Sequence, residues 1–257
     1  MNILLNLFFG PAVNAARGIA VQVQGAVTQF STNFQTAINP QITKSYAVGD
    51  YAYMHSLIFH SSKFTFLLLA TISFPVLLET EMILQLWLET VPNYTAVFVR
   101  LMLCTTIIDA MAGAFMVSAQ ATGAVRVYQS VVGGILLTIV PVSYIVLKMG
   151  AEPWSVFIVH LCVCILAFAV RLFILCRMIH LSLSGYFTKV LLRCMGVLII
   201  ALPLPLILLY FLSDTFINSI MVCLSGLLAM LFSSYVIGLV SNERKFIKDK
   251  ILLFLKL

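Results

Sequence analysis

The stretch GPAVNAARGIAVQVQGAVTQF, Gly10 to Phe30, sets Asn14, Arg17, Gln22, Gln24 and Gln29 among small and apolar residues. Stepping about 100° per residue along a helix sorts it and the residues that follow into two faces. Ala12, Ala16, Ile19, Val23, Ala26, Val27, Phe30, Phe34 and Ala37 form an apolar stripe. Asn14, Arg17, Gly18, Gln24, Gly25, Thr28, Ser31, Thr32 and Gln35 fall on the remaining face. The separation lasts about seven turns, nearly 40 Å, which is enough to cross a bilayer. Lipid cannot satisfy a polar face, so such a helix must turn it toward protein or water. A hydrophilic cavity lined by this face is the expectation. Packing through small residues and amides is one alternative. A helix lying flat on the membrane is another, although that would favour many lysines where this segment has a single arginine.

Composition points the same way. The chain of 257 residues is 62% hydrophobic and 9% charged. A soluble domain carries about 25% charged residues, so there is too little polar surface here to cover a globule in water. An all-α integral membrane bundle is expected. The net charge of +6 does not indicate nucleic acid, because the basic residues lie between apolar runs and form no dense patch with aromatics. The six cysteines all fall in apolar runs and read as small hydrophobes. Cys162 and Cys164 would point about 200° apart on a helix, so they cannot chelate a metal. His55, His60 and His160 have no partner at ligand spacing, and neither a metal nor a cofactor is expected. The opening MNILLNLFFGP has no basic n-region or small-residue cleavage site, as a cleaved signal peptide would.

Seven spans are predicted, at about 12–38, 62–88, 92–120, 125–147, 153–178, 187–212 and 216–240. Asn39-Pro40 is expected to stop the first, leaving a 39–61 connection, and Asp214 to cap the seventh. Pro75, Pro141, Pro203 and Pro205 lie inside apolar runs and should kink their helices. Alternate connections carry twelve of the fifteen Lys and Arg residues, Arg171 among them, which assigns those connections to the cytoplasm. Trp87 and Trp154 then fall at the outer ends, as an aromatic belt requires. Residues 241–257 form a basic, partly apolar tail expected along the inner leaflet. With this topology the first span starts outside, and residues 1–10 read as the end of a helix truncated upstream.

Four charged residues inside the spans stand out. Glu79, Glu81 and Arg100 flank the hairpin near residues 88–93. Glu81 and Arg100 sit about 13 Å from that turn on either side, so a gating or clamping ion pair is expected. Asp109 lies mid-span with Thr105, Thr106, Gly113, Met116 and Gln120 on its face. An isolated carboxylate there suits proton or sodium coupling, or a neutral structural hydrogen bond. Catalysis is not expected. The outer connections are only about three to six residues long, and no G-x-S-x-G, H-E-x-x-H or phosphate-binding glycine loop occurs.

Three segments carry a family resemblance: LNLFFGPAVNAARGIAVQVQGAVTQFSTNFQTAINPQITKSYAVGD, LLETEMILQLWLETVPNYT and AQATGAVRVYQSVVGG. They resemble the C-terminal half of bacterial Wzx-type O-antigen and polysaccharide flippases, members of the MATE-like multidrug, oligosaccharidyl-lipid and polysaccharide exporter superfamily. The resemblance implies one of two helical bundles that rock about a central cavity in the bacterial cytoplasmic (inner) membrane. It implies a lipid-linked oligosaccharide substrate on a polyprenyl pyrophosphate. Arg17 and Arg100 would meet the pyrophosphate, and Asn14, Gln24, Thr28 and Gln35 the sugar hydroxyls. It also implies a missing N-terminal half, supplied by a longer reading frame or a second chain. A drug/cation antiporter of the same superfamily is the close rival. A membrane glycan polymerase lacks the loops and acids it needs, and a non-transporting scaffold is a further alternative.

Overall fold

The computed structural model describes residues 1–212, 215–241 and 243–245. The Asp214 cap and residues 246–257 of the basic tail lie outside the described residues. Everything described is helix or short connection. In chain order the helices are α1 (Asn2–Phe9), α2 (Pro11–Val48), α3 (Tyr51–Leu78) and α4 (Thr80–Trp87). There follow α5 (Thr95–Ala121), α6 (Val125–Lys148), α7 (Ser155–Ile179), α8 (Leu183–Phe211) and α9 (Phe216–Gly238). Six of them, α3 and α5 to α9, are long and apolar enough to cross a membrane. The chain is an all-α, multi-pass membrane bundle. The first predicted span, within α2, has the length but not the apolarity, because its amides and hydroxyls dilute the hydrophobic residues.

The largest departure from the sequence reading is at Asn39-Pro40. This pair does not end the first helix, and no 39–61 loop exists. α2 continues through Pro40 for 38 residues, roughly 57 Å at 1.5 Å per residue. Proline removes one i→i−4 bond, and the packing of Ile42 and Ser45, both buried beyond it, holds the helix together. The true stop is Gly49, at φ 81, ψ 10 in the left-handed region that glycine adopts without strain. Asp50 then caps α3 by accepting from the Tyr53 N–H at 3.0 Å. Tyr51, Tyr53, His55 and His60 are therefore helical residues of α3, eleven residues ahead of where the second span was expected to begin.

The predicted 62–88 helix is also divided. Glu79, at φ −114 and ψ 43, separates α3 from α4 four residues after Pro75. α6 is interrupted at Thr138 and α8 at Leu202. Both breaks follow from prolines that cannot donate backward, Pro141 to Leu137 and Pro203 to Ile199. Residues 1–10 form their own helix, α1, which turns into α2 at Gly10 (φ 82).

α3 and α5 occupy the middle, with 56% of their spanning windows buried, against 17% for α6 and 22% for α7, α8 and α9. The outer helices present Leu166, Phe173, Ile207, Leu228 and Phe232 to the surroundings, each about half exposed or more. An apolar exterior of this extent suits lipid and not water. On α2 the buried residues up to Pro40 are the small or medium Ala16, Ala20, Val27 and Ser31, with Ile42 and Ser45 beyond it. Phe30, placed in the apolar stripe, is 52% exposed. Both α3 and α5 press against α2, so close approach, and not polarity, selects which residues go inside.

Candidate functional site

The polar face of α2 is turned toward α5. Gln24 Nε2 donates to Thr106 Oγ1 at 3.0 Å, and Gln35 Nε2 donates to the Ala110 carbonyl at 2.8 Å. Ser62 Oγ, from α3, donates to the neighbouring Met111 carbonyl at 2.7 Å. These bonds collect where α5 is interrupted at Ala112, between its stretches Thr95–Met111 and Gly113–Ala121. A side chain inserted at a helix interruption is one established cause of such a break. Gly113 makes the insertion possible, since a Cβ there would stand 2.1 Å from Gln35 Oε1.

Around this contact lie two abutting cavities. One, of about 360 Å³, is bounded by Gln24, Thr28, Gln35, Thr106, Asp109 and His160 among others. The other, of about 330 Å³, is bounded by Asp109, Gly113, Tyr128, Gln129, Leu136 and Arg171 among others. Asp109, Gly113 and Leu136 line both. Thr28 Oγ1 donates to the Gln24 carbonyl at 2.8 Å, and Thr106 Oγ1 to the Met102 carbonyl at 2.7 Å, so the hydroxyl hydrogens are spent within their own helices. Their oxygens remain as acceptors.

Asp109 is not isolated. Arg171 Nη1 of α7 donates to Asp109 Oδ1 at 2.7 Å. Arg171 is consequently not a topology charge at a helix end but an intramembrane partner, eight residues inside the end of α7. The Asp109 side chain is 57% exposed to the cavity space and that of Arg171 only 16%. Arg171 Nε and Tyr128 Oη are both buried without a hydrogen-bond partner among the described residues. The wall shared by Asp109, Arg171 and Tyr128 thus combines a paired carboxylate, a spare guanidinium N–H and a spare hydroxyl.

Other predicted residues stand apart from the cavities. Arg17 donates to Asn2 Oδ1, and its Nε and the Asn14 Oδ1 are buried without partners among the described residues. Arg17 shares the face of Gln24 but lies seven residues, about 10 Å, nearer the start of α2. Arg100 points about 240° away from Thr106 on α5 and meets α4 instead. There its Nη2 is 3.6 Å from Glu81 Oε1 and its Nε donates to Thr80 Oγ1 at 3.1 Å. Asn14, Arg17 and Arg100 line neither cavity.

Among the described residues no three His, Cys, Asp or Glu side chains stand close enough to hold a metal ion. Comparisons with protein-family models, with curated proteins and with solved structures found no match to this chain. The fold and the site together define its class: a multi-pass all-α membrane protein with polar cavities among its helices.

Proposed function

We propose that the chain is one bundle of a membrane transporter that moves an anionic, glycan-bearing lipid between leaflets by alternating access. The observation that carries this reading is the pair of cavities among membrane-length helices, lined by Arg171 and Tyr128 and by the Gln24, Thr28 and Gln35 row. A guanidinium suits a phosphate oxygen. Amides and hydroxyls suit sugar hydroxyls. Arg17, about two turns from Gln24 along the same face, extends the cationic path. The exposed row Gln22, Gln29, Asn33 and Thr36 on α2 requires protein or water opposite it, which favours a second bundle, in another copy or another chain. Three donors or acceptors facing a cavity on non-titrating side chains offer binding rather than acid–base chemistry.

The test is a strain lacking the gene. Lipid-linked oligosaccharide should accumulate on the cytoplasmic leaflet and return to normal with the wild-type chain. R171Q, produced at the wild-type level, should fail to restore export. Unchanged leaflet distribution in the deletion strain rejects the reading.

One observation favours a drug/cation antiporter instead: the Asp109 carboxylate is more than half exposed, as a cation site requires. Proton-driven efflux of a cationic dye, abolished by D109N, would select that alternative.

A further inference from the structure

A further cavity, of about 460 Å³, shares no residue with the two above. It lies between the first half of α3, the start of α8 and the segment that follows α9. His55, His60, Lys63, Lys189, Arg193 and Glu243 bring its charge. Lys63 is 3% exposed, which a lysine tolerates only beside an anion. That anion is Glu243. Lys63 Nζ donates to Glu243 Oε1 and Oε2 at 2.8 and 2.6 Å, His60 Nε2 lies 2.9 Å from Oε1, and the Val240 N–H donates to Oε2 at 2.8 Å. The cavity therefore already holds an oxyanion, supplied by the chain itself.

Glu243 is saturated by these contacts, and the remaining cations are not balanced. Lys189 Nζ sits 6.0 Å from the Phe59 ring, and Arg193 Nη1 donates to the Ile237 carbonyl at 3.3 Å. Neither forms an ion pair with an acid among the described residues. Three permanent cations against one carboxylate leave an excess of two positive charges facing a space large enough for a small ligand. Arginine and lysine side by side are the pair that recognises phosphate, the guanidinium by its fork and the ammonium as a point charge. Basic clefts between membrane helices are also where anionic head groups bind.

We propose that this cavity is a phosphate-binding site, in which Lys189 and Arg193 take a phosphate group beside the internal Glu243 carboxylate. A phospholipid head group or a free phosphate can supply the group. The site is separate from the transport cavities and does not depend on the transport reading.

The full chain in phosphatidylcholine nanodiscs serves as the reference. In one arm phosphatidylglycerol replaces part of the lipid, and in the other inorganic phosphate is titrated. A saturable rise in melting temperature is expected in at least one arm, and which arm responds identifies the source. K189Q changes an exposed position and so preserves the fold. It should shift the midpoint roughly tenfold toward weaker binding, with K189Q/R193Q losing the response. R126Q, an exposed cation outside the cavity, should match wild type. No saturable response in either arm overturns the proposal, as does a folded K189Q that responds like wild type.

Discussion

Asp109 and Arg171 meet at 2.7 Å across α5 and α7, and the nearest other charges along these helices are Arg100, nine residues from Asp109, and Arg177, six residues from Arg171. The pair ties a central helix to a peripheral one at the cavity wall. Removing Arg171 leaves a carboxylate that the cavity partly hydrates. Removing the Asp109 charge leaves a guanidinium whose Nε already has no partner. D109N should therefore cost more than R171M, about 2–4 against 1–2 kcal/mol once the exposure of Asp109 is allowed for. Thermal unfolding in detergent measures both. The swap D109R/R171D should recover part of the loss, and a swap no better than the worse single variant would show that the two do not act as a pair.

Gly113 and Gln35 give a second test. The Cβ of G113A would collide with the Gln35 amide at 2.1–2.6 Å, the end of a flexible side chain and not a backbone. The amide should swing away and lose its bond to the Ala110 carbonyl. The expected cost is about 1–2 kcal/mol. Q35A should cost a similar amount, and Q35A/G113A little more than either alone, because both remove the same contact. Additive losses in unfolding experiments would contradict that coupling.

Glu81 and Arg100 make a weaker connection. At 3.6 Å, with side chains 70% and 39% exposed, the ion pair should contribute less than about 1 kcal/mol. E81Q is expected to unfold within a degree or two of wild type. R100Q should be more damaging, since Arg100 also donates to the buried Thr80 hydroxyl. Equal melting temperatures for the two variants would place the whole effect in the ion pair.

The Glu243 latch should respond to acid. Burial opposes its ionisation, yet hydrogen bonds from His60, Lys63 and the Val240 N–H outweigh this and hold the carboxyl at about 2, below the ordinary 4.5. For a depressed value, the carboxylate's contribution is complete above pH 4.5 and is lost as pH falls through about 2. The other titratable groups that line the same cavity are His55, His60, Lys63, Lys189 and Arg193. The melting-temperature gap between wild type and E243Q should be constant near neutrality, shrink below pH 4.5 and close near pH 2. A gap independent of pH across that range would mean that the carboxylate charge plays no part.

Some of this was legible in the sequence by itself. The scarcity of charge and the long apolar runs determine a helical membrane bundle, because a continuous apolar run of about 20 residues satisfies its backbone in lipid as a helix, whereas barrel strands alternate polar and apolar residues. The α5 to α9 segments could be read as apolar runs of membrane-spanning length for the same reason. Gln24, Thr28 and Gln35 were legible as one polar face and Asp109 as a mid-span carboxylate, since polar groups at helical spacing within apolar sequence must face something other than lipid. Three things were decided only by tertiary packing. Pro40 is carried inside α2 because Ile42 and Ser45 pack beyond it, which local propensity cannot register. Arg171 pairs with Asp109 across 62 residues, and its place near the end of an apolar run made it resemble a topology charge. Lys63 and Glu243 meet across 180 residues, and nothing near either one announces the other. Helix periodicity fixes which residues share a face, but the partner of a buried charge is chosen by which helices the fold brings together.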